Sequence, residues 1–455
     1  MSESGIDLAG ALTDGLAVYD TAARGEAGRA RAVIRPTSVE EVRAAINWAR
    51  ANRVGLVAQG ANTGLVGSSV ADPSGQQVVL STERLVGDID IDPVEQSATV
   101  AAGVRLWSLN DAARMHGLHL PIDLAADPSL GGMVATNTGG SRVVHYGPLR
   151  QHLLDAELVA ADAEVSVFGG RRQVRKDSRG LDLAQLSVGS GGTFGVITSV
   201  TVALSRLAPQ RVTWWVALDE GHEMDLFAAT QAVRGGWNLT AFEIVSRTCF
   251  EATSALAGAP GMPLATASDT LALVEWSGDG DDPGARVFAA LHASAVVTDA
   301  VRVPSAEAWA IRHGISESLR RVGIVLGHDV SVPRRQISEL RRSARRAVNE
   351  IVPRARLCEF GHAGDGGLHL NVVFPGDAAP TAAEREQVRN AVDALVARDG
   401  SYSAEHGLGP LNAARWLASS TEFERRLVRA VKATVDPFGI LGHPDHPYNQ
   451  LLRQS

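Results

Sequence analysis

Three glycine-rich stretches, each beside a strand-like segment, constrain what this chain can fold into more than any other feature. They are QGANTGLVG at 59–67, DPSLGGMVATNTGGS at 127–141 and VGSGGTFGVIT at 188–198. Small residues let a backbone approach a ligand closely, and successive N–H groups can then form a concavity for a pyrophosphate. The first stretch lacks the Lys-Ser/Thr of a nucleotide-triphosphatase loop and does not match GxGxxG. Taken singly, each stretch is as well explained by an ordinary turn. Its setting adds weight. Val33-Ile34 reads as a short strand stopped by Pro36, and Thr37 or Ser38 can cap a helix with Glu40 and Glu41 in its first turn. Val42, Ala45, Ile46 and Ala49 recur at helical spacing, Gly55 marks the end of that helix, and Leu56-Val57-Ala58 reads as a buried strand. A β-α-β unit feeding a glycine loop is where α/β folds place ligands.

The bulk numbers exclude several classes. A chain of 455 residues with 45% hydrophobic content exceeds one ordinary core, which implies two or more domains. No segment approaches about 18 uninterrupted apolar residues, so no membrane span is expected. The opening MSESGIDLAG has two acids and no base, which does not fit a secretory signal. A net charge of −8 argues against a nucleic-acid binder, and the basic run RRQVRK at 171–176 reads as solvated surface. Cys249 and Cys358 fit no metal or redox spacing and read as buried thiols, with a reducing cytoplasm as the expected compartment. Lys176 and Lys432 are the only lysines. Strands are expected at 153–160 and 196–204, a boundary near Pro209, and helices at 335–351 and 382–398.

Two further motifs carry chemistry: FGHAGDGGLHLN at 360–371 and SAEHGLG at 403–409. Asp365-Gly366-Gly367 is a turn signal between extended segments, so a hairpin would bring His362 and His369 together. Two histidines and a carboxylate make the ligand set of an open divalent site, and Glu405 would complete it if the fold delivers it there. Packed or surface histidines are the alternative. In WAIRHGIS at 309–316, Arg312 offers a planar fork for a carboxylate, or is simply an exposed helix arginine.

The order and spacing of the glycine stretches resemble the FAD-binding domain of the vanillyl-alcohol oxidase/p-cresol methylhydroxylase superfamily. The match is closest to the branch of D-2-hydroxyglutarate dehydrogenase, D-lactate dehydrogenase and the glycolate oxidase catalytic subunit. ATNTGGSRVVHYG at 135–147 is the most specific part of the FAD-binding resemblance. The resemblance implies an α+β fold of two domains. A PCMH-type FAD-binding domain would span 1–207, with 434–455 returning to it, and an α+β substrate and metal-binding cap domain would span 208–433, with the active site between them. It assigns FAD contacts to Gly60, Asn62, Thr63, Gly64, Leu65, Gly131, Gly132, Thr136, Asn137, Gly140, Ser141, Gly195 and Ile197. FAD is expected to be non-covalent, because the first loop has Ala61 and Asn62 and the second has no cysteine.

The resemblance also assigns a divalent metal to His362, His369 and Glu405, with zinc expected and manganese, iron or cobalt able to fit. His406 is the implied base, and Arg312, Ser316 and Asn371 the substrate-binding residues. The expected reaction is metal-assisted oxidation of a D-2-hydroxy acid to the 2-oxo acid, with hydride passing to flavin N5. Glycolate, a larger hydroxy acid, or an electron-relay role in a complex are the alternatives. The intact HAGDGGLH and AEHG motifs count against the last. The electron acceptor, a quinone, electron-transfer flavoprotein, cytochrome or oxygen, is not identified. Three positions depart from the branch. Gly367 replaces an asparagine in the turn. Gly327 stands where a lysine usually precedes Asp329 by two residues, leaving His328, Arg334 or Arg335 as substitutes. GHPDH at 442–446 replaces Asn-Pro-Gly-Lys.

Overall fold

The computed structural model describes residues 11–21, 27–170, 176–233, 235–254, 264, 268–376 and 379–453. The amino-terminal decapeptide and residues 171–175 of the basic run lie outside them. The chain forms two compact units. Unit 1 comprises Met1–Gly139, Pro148–Leu207 and Glu405–Ser455, and unit 2 comprises Gly140–Gly147 and Ala208–Ala404.

Unit 1 opens with three parallel strands, β1 (Ala32–Ile34), β2 (Leu56–Gln59) and β3 (Val78–Ser81), in the order β1-β3-β2. The helix Val39–Asn52 joins the first two. Ser38 caps it by accepting a bond from the Glu41 amide, and Val42, Ala45, Ile46 and Ala49 form its buried stripe. It ends at Arg53 in the left-handed region, two residues before Gly55. A five-stranded antiparallel sheet follows, built from β4 (Asp90–Asp92), β5 (Ser97–Ala101), β7 (Leu153–Val159), β8 (Val167–Gly169) and β9 (Val196–Ala203) in the order β4-β5-β9-β7-β8. Two short strands, β6 (Leu118–His119) and β10 (Ser205–Arg206), pair with each other.

The chain returns to unit 1 at Glu405, ahead of the point near 434 expected from the sequence. The reason is a knot of long-range bonds. Leu56 pairs with Leu441 beside β2. Lys432, fully buried on the helix Glu422–Val435, donates to Asp436 at 2.6 Å, to the Thr193 carbonyl at 2.8 Å and to the Leu441 carbonyl at 3.0 Å. Trp416 and Phe194 both pack on Tyr448, with ring centroids 5.3 and 5.2 Å away. Helices 413–419 and 422–435 therefore belong with unit 1.

Unit 2 is one seven-stranded antiparallel sheet: β11 (Gln210–Leu218), β12 (Trp237–Ser246), β13 (Thr270–Gly278), β14 (Val297–Val303), β15 (Gly323–Ser331), β16 (Arg356–Gly361) and β17 (Gly367–Pro375). Their order is β14-β11-β13-β12-β16-β17-β15. Side chains alternate across a strand, so each strand serves two cores. Phe242, Ile244, Trp276, Leu368 and Leu370 face the helices Ile337–Ile351 and Ala382–Val396. Ala241, Val245, Leu273, Cys358 and Phe360 face the helix Ser305–Val322, which contributes Trp309, Ile311, Ile315 and Leu319. Both cysteines are buried and lie in this second core.

Burial lowers the Lys432 pKa, and the adjacent Asp436 charge works against that shift. Removing one partner of a buried ion pair leaves the other charge uncompensated, at about 3–5 kcal/mol. Lys432→Met should therefore lower unit 1's unfolding free energy by about that much. Denaturant unfolding would measure it, and a change below about 1 kcal/mol would show the pair to be dispensable.

Candidate active site

In unit 1 the first two glycine stretches border a cavity of about 410 Å³, lined by Gly60, Ala61, Glu83, Gly103, Arg105 and Ser129, among others. The Ser129 hydroxyl accepts from the Gly132 amide at 3.3 Å and caps the helix Leu130–Thr136. A Cβ on Gly60 would collide with that hydroxyl, and one on Gly131 would lie 2.7 Å from Ala102 Cβ. Both contacts are therefore close because the side chains are missing. Asn62 adopts a left-handed φ of 55° and braces the first loop: its amide donates to the Thr21 carbonyl at 2.8 Å and accepts from Ser69 at 2.9 Å. Asn137 ends the helix in the left-handed region, and its side chain accepts from the Arg150 amide at 3.1 Å. A cavity where glycine backbone lies beside the polar side chains of Arg105, Ser108 and Ser129 suits a cofactor such as FAD.

The returning segment is seated on both loops. The Ser68 hydroxyl donates to the Leu408 carbonyl at 3.1 Å, and a Cβ on Gly409 would meet the Val66 carbonyl at 2.6 Å. Gly407, with φ of 87°, crosses Thr136. Glu405 and His406 thus begin a segment that is pinned to the cofactor loops within unit 1.

Unit 2 forms the hairpin expected from HAGDGGLH, with β16 and β17 antiparallel and the His362 and His369 ring centroids 5.4 Å apart. The turn is fixed locally. The His362 carbonyl accepts from the Asp365 and Gly367 amides, and the Asp365 side chain accepts from the Gly367 amide at 2.9 Å. Gly364 donates to the Phe242 carbonyl at 3.0 Å, which ties the turn to β12. Each histidine faces a buried carboxylate. His362 Nδ1 lies 2.6 Å from Glu243, and His369 Nδ1 lies 3.4 Å from Asp329, its cross-strand partner. A carboxylate bonded to Nδ1, as Glu243 is to His362, holds a histidine with Nε2 available to a metal, the pairing common at metal centres. The donor chemistry therefore fits a divalent ion. Ser331 and Ser401 pair their backbones, and Ala404 passes the turn, so that a Cβ on Gly367 would come 3.9 Å from Ala404 Cβ. Glu405 is the next residue in the chain.

Arg312 is buried on the helix Ser305–Val322, with its guanidinium 4.6 Å over the Phe360 ring and its Nε 2.5 Å from Glu243. Burial works to raise the Glu243 pKa, but the Arg312 charge and the His362 ring more than reverse it, holding it at about 2. Ser316 follows one turn after Arg312 and is half-buried. Asn371 is buried and donates to the Cys358 carbonyl at 3.4 Å. A second buried pair lies on the same face of the sheet: Glu275 accepts from Arg142 at 2.9 Å and from the Trp309 indole at 2.8 Å. Arg142 belongs to the segment Gly140–Gly147, so Gly140 and Ser141 fall in unit 2 while the other expected FAD contacts fall in unit 1. The Ile197 side chain belongs to the unit 1 core, which leaves its backbone for any cofactor contact.

Gly327 pairs with Asn371 and shares a face with Asp329 and Val325, beside the site. His328 pairs with Leu370 and points to the opposite face, so it does not stand in for a lysine at Gly327. Arg334 lies over Phe227, a core residue of that opposite face, and both Arg334 and Arg335 are exposed. Sequence reasoning missed Gly103, Glu243 and the Arg142–Glu275 pair. Nothing local marks them, since each matters through a partner far along the chain.

A Cβ on Gly103 would overlap the Thr82 carbonyl and lie 2.7 Å from the Leu85 carbonyl, both rigid backbone. Gly103→Ala is therefore expected to weaken FAD binding by about tenfold or more, the effect of about 1.4 kcal/mol. Flavin titration of the deflavinated protein measures it, and a wild-type Kd would remove Gly103 from the cofactor cavity.

Comparison with known proteins agrees with this geometry. Residues 30–169 match the family described as FAD binding domain, and residues 222–443 match FAD linked oxidases, C-terminal domain. A D-2-hydroxyglutarate dehydrogenase from Xanthomonas citri pv. viticola is 34% identical over 90% of this chain and 88% of its own length. The mitochondrial D-2-hydroxyglutarate dehydrogenase of Bos taurus is 31% identical over 93% of this chain and 77% of its own. Among solved structures, p-cresol methylhydroxylase with substrate bound shares the fold at a TM-score of 0.72 and 16% identity, covering 94% of this chain and 92% of that one. 4-Ethylphenol oxidase from Gulosibacter chungangensis does so at 0.70 and 17%, covering 95% and 92%. The chain belongs to the FAD-linked oxidases of the vanillyl-alcohol oxidase/p-cresol methylhydroxylase superfamily, in the D-2-hydroxyglutarate dehydrogenase branch, and is an FAD-dependent 2-hydroxyacid dehydrogenase.

Proposed function

We propose that the protein oxidises a D-2-hydroxy acid to its 2-oxo acid with the help of a divalent metal. One observation carries this reading: the two histidines of HAGDGGLH come together beside buried carboxylates, with His362 Nδ1 bonded to Glu243 at 2.6 Å and His369 Nδ1 3.4 Å from Asp329. His362, His369 and Glu405 are the proposed metal ligands, with zinc the ion their chemistry suits. Bound FAD supplies the two-electron acceptor, and the ion supplies a Lewis acid for the 2-hydroxyl group.

The chain's own residues do the rest. The guanidinium of Arg312 and the hydroxyl of Ser316, one helical turn apart, hold the substrate carboxylate. Asn371 adds a polar contact on the same sheet face. Nδ1 or Nε2 of His406 takes the hydroxyl proton, the general-base role an imidazole commonly fills. The residues expected around FAD, Gly60 to Leu65 and Gly131 to Asn137, line or brace the glycine loops, and Gly195 precedes β9. FAD is held without a covalent bond, because no cysteine or histidine lies in the first two glycine stretches.

The similar proteins are named for D-2-hydroxyglutarate, which makes that acid the first substrate to test. A second reading, a substrate with one carboxylate such as D-lactate, is favoured by Gly327. That position offers no cation beside Asn371, and His328 faces away. The ratio of kcat/KM for the two acids separates the readings. The electron acceptor is a quinone, an electron-transfer flavoprotein or a cytochrome. No helix among the described residues is long and apolar enough to cross a membrane. Two buried cysteines are in keeping with a reducing cytoplasm.

His406→Ala should keep its FAD but lose reduction by substrate by about 10²–10⁴-fold, the range for a lost acid–base group. Anaerobic stopped-flow reduction measures it. A variant reduced at the normal rate removes His406 from the mechanism.

A further inference from the structure

Among the described residues, Glu243 is the one carboxylate bonded to both His362 and Arg312. Its Oε1 lies 2.6 Å from His362 Nδ1, and its Oε2 accepts from Arg312 Nε at 2.5 Å. Its side chain has no exposed surface, and it sits on β12 among the apolar residues of the sequence AFEIV. A carboxylate enters such a place only where strong partners hold it. The two oxygens are divided, one to each partner, so a single planar group sets the position of both.

We propose that Glu243 is a positioning residue that holds the metal ligand His362 and the substrate-binding Arg312 in one register. The inference rests on the functional reading above, in which His362 binds metal and Arg312 binds the substrate carboxylate. On the metal side, Glu243 accepts the Nδ1 proton of His362 and so leaves Nε2 as the ligand nitrogen. On the substrate side, it takes the Nε edge of Arg312 while Phe360 covers the face of the guanidinium, 4.6 Å away. The terminal nitrogens are what remain for a carboxylate. Phe360 also neighbours the second histidine, with 5.1 Å between its ring and that of His369. Ligand, arginine and ring therefore pack as one cluster around Glu243. No sequence motif includes this residue.

Glutamine cannot replace it. A glutamine amide has one acceptor oxygen, and its nitrogen would face a donor on whichever side it was turned. Glu243→Gln should therefore weaken two functions at once. Zinc affinity should fall by about 10–100-fold, the usual effect of losing a histidine's carboxylate partner. KM for the hydroxy acid should rise by at least about tenfold, while kcat at saturating zinc and substrate changes much less, because Glu243 does not touch the reacting atoms. The flavin content should stay at the wild-type level, since the glycine stretches, apart from Gly140 and Ser141, lie in unit 1.

The test uses the full-length FAD protein stripped of metal. Zinc alone is titrated in competition with a chromophoric chelator, and steady-state kinetics follow on the reloaded protein. A folded E243Q protein with wild-type zinc affinity and wild-type KM overturns the proposal. A protein that loses zinc affinity and raises KM together, with FAD retained, supports it. If E243Q does not fold, E243D gives the decision: its shorter carboxylate keeps the charge but cannot span both partners, so wild-type values there overturn the proposal equally. A wild-type protein that binds no zinc would sink the metal reading instead. The role toward Arg312 would then stand or fall on KM alone.

Discussion

A carboxylate with no exposed surface, on a strand whose neighbours are apolar, cannot keep its charge unaided. Glu243 keeps it because Arg312 and His362 reach it from two other elements, the long helix over the sheet and the turn between β16 and β17. Those partners are 69 and 119 residues away in sequence. The contact therefore forms only once the sheet, the helix and the hairpin are in place. The rest of unit 2 can be understood as the frame that lets three such elements converge. Its strands alternate between two cores, and the polar residues at 243, 275, 329, 369 and 371 all occupy the face under the Ser305–Val322 helix. On the other face a separate network of Glu223, Arg341, Glu359 and Arg345 links helix to sheet. One sheet thus carries a polar site on one side and a structural ion network on the other.

Unit 1 meets a different constraint, which is close approach rather than charge. Gly60 and Gly103 line its cavity and Gly131 packs on Ala102, and added Cβ atoms at 60, 103 and 131 would strike hydroxyl, carbonyl or methyl groups. The same economy of space governs the returning segment, where Gly407 and Gly409 let the chain cross Thr136 and Val66. Lys432 anchors the other end of that return through three bonds in a fully buried setting. A chain with only two lysines has placed one of them where its ammonium group closes the fold.

Much of this was legible in the sequence because it is local. The cap at Ser38, the helical stripe at 42, 45, 46 and 49 and the hairpin at 365–367 all depend on near neighbours. The glycine stretches were legible as loops, and their order as a family resemblance. What stayed hidden was set by distant contacts. AFEIV reads as a strand with an odd glutamate, and nothing nearby announces Arg312. The return point at Glu405 was misplaced toward 434 because helices 413–419 and 422–435 resemble any surface helices until Trp416 and Lys432 find Tyr448 and Thr193. The substitution of His328 for a family lysine failed on parity. Once 323–331 is a strand, residues 327 and 328 point to opposite faces.

The central claim is metal-assisted oxidation of a D-2-hydroxy acid by bound flavin. Its most direct test is the absorbance of oxidised flavin under anaerobic conditions, mixed with D-2-hydroxyglutarate, D-lactate and their L-enantiomers, before and after treatment with a chelator. The account predicts bleaching by at least one D-acid, none by its enantiomer, loss of bleaching with chelator and recovery when zinc is restored. Bleaching that survives complete removal of metal would contradict it.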